Sequence, residues 1–415
     1  MSAEFTTAAG PTLAEIEEAR ERVAEVIEVT PMLSSRFLSG LAGHQVLLKA
    51  ESLQRTGSYK IRGAYNFIAQ LSAEQRARGV VAASAGNHAQ GVALAARELG
   101  ISATIFMPLG VALPKLQATR GYGAEVVLHG AIVDETLQAA RDFAERTGAV
   151  IVPPFDHHDI VTGQATLGLE ILEQAPDVEH IVVPVGGGGL ASGVAVAVEW
   201  LEAELGRRVR VTGVQAANAA AYPPSLAAGE PTLTPITSTL SDGIAVGKPG
   251  ALNFEIIRRA VDEVVTVDED DTARAILVLL ERAKLVVEPA GAVGVAALLT
   301  GAVQPQGPTV VILSGANIDP MVMERVISRG LSASSRYLKV TIPLPDRPGQ
   351  LARIADLIAE ANANVVEVLH TRHGVGLHIS QVQIEIHMET RGSEHAEHVL
   401  EVLRGAGYQP RVDLE

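Results

Sequence analysis

The sequence predicts an α/β protein with two subdomains built on parallel sheets, followed by a smaller α+β unit. Three observations lead there. Short Val- and Ile-rich runs alternate with helical patterns over the first three quarters of the chain, the rhythm of buried strands joined by crossover helices. That rhythm breaks near residues 330–335, where small polar side chains replace the apolar pattern. Beyond the break the order becomes β-α-β-β-α-β, the ferredoxin-like split unit.

Taken in order, residues 1–11 are small and polar and are expected to be disordered. Thr12 and Glu15 have the spacing of a capping box that starts a helix running to about Ile27. Strands follow at 45–49, 80–83, 103–107, 125–128 and 150–152, each leading into a helix or a polar loop. A second set lies at 181–185, 209–215, 264–267 and 309–313. Strand C-termini are expected to line the cleft between the two subdomains. The principal unit is expected at 1–329, with a small subdomain at about 52–155 inserted in the large one, a linker at 330–336 and the last unit at 337–415. In that last unit strands are expected at 338–343, 365–369, 381–388 and 410–412, and helices at 351–361 and 394–403.

Composition removes several function classes. A chain of 415 residues is long enough to bury a large core. Its 47% hydrophobic content includes no run of the roughly 18 apolar residues that span a bilayer, so a soluble protein without a membrane partner is expected. Zero cysteines exclude disulfides, thiolate nucleophiles and cysteine metal sites. The first residues, Met1, Ser2, Ala3 and Glu4, lack a signal-peptide pattern, and the expected location is cytoplasmic. A net charge of −15 argues against a nucleic-acid partner, which needs a basic stripe. No H-E-x-x-H pair occurs, and His157 and His158 are adjacent, which suits no shared metal.

Three segments carry chemistry. Lys60 lies in Ser58-Tyr59-Lys60-Ile61-Arg62-Gly63 at a predicted helix start, with Ser58 offering an N-cap. The positive end of a helix and partial desolvation both lower an amine's pKa, which suits imine formation, whereas alone it reads as a surface lysine. Ser84-Ala85-Gly86-Asn87-His88-Ala89-Gln90-Gly91 connects a strand to a helix, a place for an anion. Gly186-Gly187-Gly188-Gly189-Leu190 does the same after the strand at 181–185; four glycines let backbone N–H groups ring a phosphate, or form a tight turn. No Walker or G-x-G-x-x-G nucleotide pattern fits. An amine, an amide-bearing loop and a phosphate cup together point to a phosphorylated aldehyde, and pyridoxal 5′-phosphate is the candidate cofactor.

With Leu313-Ser314-Gly315-Ala316-Asn317, these segments resemble the serine/threonine dehydratase branch of the fold type II, tryptophan-synthase-β-like, pyridoxal phosphate enzymes, in the family's order and over residues 12–328. The resemblance implies that Lys60 holds the cofactor and then removes the substrate's α-proton. It implies that Asn87 faces the cofactor's 3′-oxygen, that Gly186, Gly187, Gly188, Gly189 and Leu190 bind its phosphate, and that Ser314 faces its ring nitrogen. A neutral hydroxyl there leaves the ring a weaker electron sink than an aspartate would, which favours β-elimination over transamination. Ser84, Asn87 and His88 are suited to the substrate carboxylate, with a packing role equally open for His88. Tyr59 reads equally as a packing ring and Arg62 as an ion-pair partner.

The implied reaction is loss of water from L-threonine, giving 2-oxobutanoate and ammonia, and from L-serine, giving pyruvate. The cofactor phosphate serves such enzymes as the acid for the departing hydroxyl. Racemases of the family have a serine where this chain has Ala85, so dehydration is expected to outrun racemisation. Gln215 and Ala221 stand where some relatives place acidic metal ligands, so no divalent metal is expected. Residues 241–245 and 288–291 resemble loops flanking the cofactor ring, or are ordinary turns. The turn from Pro345 to Leu351 resembles ACT-type regulatory domains, which implies a branched-chain amino-acid effector and a homodimer or homotetramer, or an oligomerisation module without ligand. Alternatives on the same scaffold are a serine dehydratase, a racemase or a hydroxyaspartate dehydratase. An amino-acid sensor with an inactive large unit is the non-enzymatic alternative.

Overall fold

The computed structural model describes residues 10–372 and 381–412. Most of the N-terminal stretch expected to be disordered, residues 1–9, lies outside the described residues. The chain divides into two compact units, Met1–Met323 and Glu324–Glu415.

The first unit contains two sheets. A six-stranded sheet has the spatial order Met32–Ser34, Val46–Lys49, Thr309–Ile312, His180–Pro184, Arg210–Ala216, Glu263–Val267. All neighbours run parallel except the first pair, an antiparallel edge. That edge strand was not expected; three residues after Pro31 are too short to display a period-2 pattern. The second sheet is fully parallel, in the order Glu125–Leu128, Ala103–Met107, Val80–Ala83, Val150–Ile151. In sequence it falls between two strands of the first sheet, so the chain leaves the large subdomain and returns to it.

Burial explains why these segments are strands. Every residue of His180–Pro184 and of Ala103–Met107 is buried, as expected of strands covered by helices on both faces. The core of the small subdomain gathers Ile61, Ile68, Leu94, Ile105 and Met107, and that of the large one Ile181, Val183, Val211 and Phe254. Thr12 caps the helix Leu13–Val23 through a complete capping box, a motif whose cap residue contributes about 1 kcal/mol. This helix stops four residues before Ile27, where β-branched Val26, Ile27, Val29 and Thr30 and then Pro31 disfavour its continuation.

In the second unit, strands Tyr337–Pro345, Asn364–Thr371, Gln381–Glu389 and Arg411–Val412 alternate with helices Gln350–Glu360 and Ser393–Gly405 in the β-α-β-β-α-β order. The antiparallel sheet runs second, third, first, fourth. Leu338, Val340, Ile342, Ile384, Ile386 and Met388 turn one face to Ile354, Ile358, Val399 and Leu403 of the helices. Helix Pro320–Ala333 runs through four of the seven positions read from sequence as a linker, since Gly330 is buried and Ser332 and Ala333 are compatible with a last turn. Among the described residues no helix is long and apolar enough to cross a membrane.

Candidate active site

Lys60 is the first residue of helix Lys60–Ala69, and two backbone contacts from the loop after strand Thr309–Ile312 fix its approach. Tyr59 N–H donates to the Ser314 carbonyl (3.2 Å), and Ala316 N–H donates to the Gly57 carbonyl (2.8 Å). Gly57 has φ +69°, and a side chain there would strike Asn317. Ser58 is not the helix cap: Tyr59 occupies that position without a side-chain bond, while Ser58 pairs with Gly315 through its backbone. Lys60 Nζ donates to the Pro154 carbonyl at 2.9 Å.

Asn87 opens helix Asn87–Glu98 after a turn in which Gly86 N–H donates to Ser84 Oγ (3.2 Å). Its Nδ2 donates to Glu288 Oε1 at 2.6 Å, and its Oδ1 accepts from Asn317 Nδ2 at 2.8 Å. His88 is buried, with Nε2 2.9 Å from the Val152 carbonyl. Burial, reinforced by the nearby Lys60 charge, pushes the imidazole down to about 3, so it is neutral and Nε2–H is the donor.

The glycine loop joins strand His180–Pro184 to the 17-residue helix Gly189–Leu205. The Gly187 carbonyl accepts from Tyr222 Oη (3.2 Å) and from Asn253 Nδ2 (3.1 Å). A trans peptide then turns the Gly188 N–H the opposite way, and the first N–H groups of the helix have no partner within it. Burial pushes the Tyr222 phenol far up, so its proton stays in place for that bond. Each glycine is crowded: Ile244 stands behind Gly186, the Phe155 ring 2.5 Å from a Cβ at Gly187, Tyr222 behind Gly188 at φ +101°, and Phe155 again, less tightly at 3.1 Å, behind Gly189.

Lys60, Ser84, Asn87, His88 and Gly186–Leu190 line one cavity of about 410 Å³. Ser314 is 4% exposed, and its backbone carbonyl receives the Tyr59 N–H. At the rim, Lys115 Nζ and Asp242 Oδ2 pair at 2.9 Å across the two subdomains. Burial and then the Asp242 charge push the Glu288 carboxyl up to about 7, against the pull of Asn87, Lys115 and Lys60. Glu288 and Asn317 fall in segments that the sequence sets beside the cofactor without a role of their own, and Phe155, Lys115, Tyr222 and Asn253 carry no expectation from sequence. Phe155 had a signal, since it follows the last strand of the inserted sheet, where α/β sites collect; Tyr222 and Asn253 had none. Gln215 is fully buried and bonded to the Val185 carbonyl and the Tyr222 N–H.

The chain belongs to the family of pyridoxal-phosphate dependent enzymes, whose model matches residues 23–315, and an ACT domain matches residues 340–407. It is 48% identical over 401 residues to the L-threonine ammonia-lyase of Thermotoga maritima, covering 97% of this chain and 99% of that protein. Among solved structures it is similar to the processed form of threonine deaminase isoform 2 from Solanum lycopersicum, with a TM-score of 0.71 and 33% identity over 77% of this chain and 95% of that one. It is also similar to maize serine racemase, with a TM-score of 0.72 and 34% identity over 78% and 98% of the two chains. The cavity fits the family's cofactor. An amine is among its lining groups, and so is a glycine loop on which an added Cβ would crowd Ile244, Phe155 or Tyr222.

Proposed function

We propose that this protein is an L-threonine ammonia-lyase that removes water from L-threonine, acts also on L-serine, and is regulated by an amino acid through its C-terminal unit. The observation that carries this reading is the joining of Lys60 and Gly186–Leu190 by one cavity, in a chain 48% identical to a threonine ammonia-lyase over nearly its whole length.

Gly186, Gly187, Gly188, Gly189 and Leu190 would hold the phosphate of pyridoxal 5′-phosphate, Lys60 its aldehyde carbon, Asn87 its 3′-oxygen, and Ser314 its ring nitrogen. When bound, the cofactor withdraws electron density from the substrate's α-carbon. Lys60 Nζ takes the α-proton, a role for which it is half-buried and held by a neutral carbonyl. Ser84 and the free N–H groups at the start of helix Asn87–Glu98 bind the carboxylate, with His88 packed beneath them as a neutral ring. Water is lost from the β-hydroxy acid and returned when the released enamine hydrolyses, leaving 2-oxobutanoate and ammonia. Ala85 offers no protic side chain, so racemisation is disfavoured.

Purified protein given the cofactor should form 2-oxobutanoate from L-threonine faster than pyruvate from L-serine, and little D-serine. Abundant D-serine would favour the racemase reading, and binding of amino acids without turnover the sensor reading. Gly187→Ala should weaken cofactor binding by roughly tenfold, because the new Cβ meets the Phe155 ring and the loop or the ring must shift, at a cost of about 1–3 kcal/mol. Absorbance titration checks this, and an unchanged affinity counts against the phosphate assignment.

Regulation follows from the ACT match. Gly349, at φ +88°, turns the chain from strand Tyr337–Pro345 into helix Gln350–Glu360, and a branched-chain amino acid is the effector we favour for that turn. Such a ligand acts only by binding two states unequally. Removing the residues after Ser335 should abolish the response to isoleucine and valine while elimination persists. A truncated enzyme that still responds would place the effector site elsewhere. We place the protein in the cytoplasm as a homodimer or homotetramer, which size-exclusion chromatography with light scattering tests.

A further inference from the structure

Among the titratable side chains that line the cavity, Glu288 is the buried carboxyl to which the elimination chemistry gives no task. Glu288 is 4% exposed, precedes helix Pro289–Thr300, and donates its backbone N–H to the Gly315 carbonyl at 3.0 Å. Its Oε1 takes one hydrogen of Asn87 Nδ2. On the other side, Asn317 Nδ2 donates both to Asn87 Oδ1 (2.8 Å) and to the Thr56 carbonyl (2.7 Å). The amide of Asn87 is therefore held at both ends. The second hydrogen on Nδ2 is what it has left to offer a ligand.

We propose that Glu288 is a positioning residue: together with Asn317 it fixes Asn87 as a hydrogen-bond donor towards the cavity, and so selects a ring that presents an acceptor oxygen there. This rests on the reading that the cavity binds pyridoxal 5′-phosphate. The groups acting on Glu288 are Asp242 from the loop beside it, Lys115 from helix Leu113–Gly121, Lys60 and the Asn87 amide. Glu288 works as the neutral acid, which accepts the Asn87 hydrogen without setting a full negative charge against an electron-rich ring. Ionisation as pH rises through 7 removes that condition, and Glu288→Gln imitates the neutral form permanently.

The sign on stability is fixed. A carboxyl raised from 4.5 to about 7 in the folded protein keeps a proton that the unfolded chain has lost, so stability falls across that interval and is constant above it. In cofactor-free protein E288Q should therefore melt higher than wild type above pH 7 and level with it below 4.5. In the holoenzyme, the visible absorption of the bound cofactor should undergo a transition near pH 7 that is absent from E288Q. Glu288→Ala, which frees the Nδ2 end of Asn87 and leaves only the Asn317 bond, should bind the cofactor about tenfold more weakly. The proposal is overturned by the same spectral transition in E288Q, by equal melting curves at every pH, or by unaltered affinity in E288A. If wild type binds no cofactor and eliminates nothing from threonine, the functional reading fails and the ring selection with it, while the melting comparison still reports on the Glu288 proton.

Discussion

Lys60→Ala is expected to lower the turnover of L-threonine by at least about 10³-fold and to remove the visible absorption of the cofactor-bound imine. No other side chain takes over. Among the described residues that line the cavity, the second lysine is Lys115, and its Nζ is committed to Asp242 at 2.9 Å on the rim. Glu288 is tied to Asn87 Nδ2 at 2.6 Å, and His88 is the other cavity-lining base close enough to feel the Lys60 charge. It is buried, neutral and bonded to the Val152 carbonyl, so taking a proton there is strongly disfavoured at neutral pH. A small primary amine added to the variant should restore part of the rate, because the cavity then has room where the lysine stem was removed. Steady-state kinetics with absorbance spectra decide the matter. Turnover within tenfold of wild type would show that the proton moves through another group.

Much of this site was legible because its chemistry resides in contiguous motifs. Lys60, the Ser84–Gly91 turn and the tetraglycine loop each sit where a strand or turn meets a helix start, and local sequence reports such junctions well. Asn87 and Gly187 could be located in this way. What holds them could not. Glu288 lies 201 positions from Asn87, and Asn253 lies 66 from Gly187, and single-sequence periodicity carries no register between such segments. Ser314 illustrates the same limit from the other direction: its motif was identified, but only the fold shows that its backbone carbonyl receives the Tyr59 N–H. The short antiparallel edge Met32–Ser34 escaped for a different reason, since it is defined by its partner Val46–Lys49 and hardly by its own residues.

Arg62, which the sequence leaves as an ion-pair partner, is buried and pairs with two carboxylates, Glu51 and Glu170. Arg62, Lys49 and Glu51 are each 0% exposed and Glu170 is 8% exposed, so two cations and two anions are enclosed together. Arg62 grips Glu51 with Nε (2.9 Å) and Nη2 (2.8 Å), and reaches Glu170 from Nη2 at 2.8 Å. Lys49 Nζ completes the set with Glu170 (2.5 Å), the Thr30 carbonyl (2.7 Å) and Gln174 (2.8 Å). Burial alone would raise the Glu51 carboxyl, but Arg62 first, with Thr30 and Lys49, more than compensates and holds it below its ordinary value. Arg62→Met therefore leaves a buried carboxylate without its main counter-charge and is expected to cost about 3–5 kcal/mol of unfolding free energy at pH 7. The pH dependence has a definite sign. In wild type the Glu51 contribution is present above 4.5 and is lost as pH falls through its lower folded value, whereas in the variant the orphaned carboxyl loses stability as pH rises above 4.5. The gap between the two proteins should thus narrow on acidification. Adding Glu51→Leu to Arg62→Met should recover part of the loss, because removing both partners spares the uncompensated charge. Arg62 is two residues from Lys60 on the same helix, so the single variant should also turn over threonine more slowly. Urea unfolding of the cofactor-free protein at pH 5 and 7 measures the gap, and a single variant as stable as wild type at pH 7 would show that the cluster contributes nothing to holding the Lys60 helix in place.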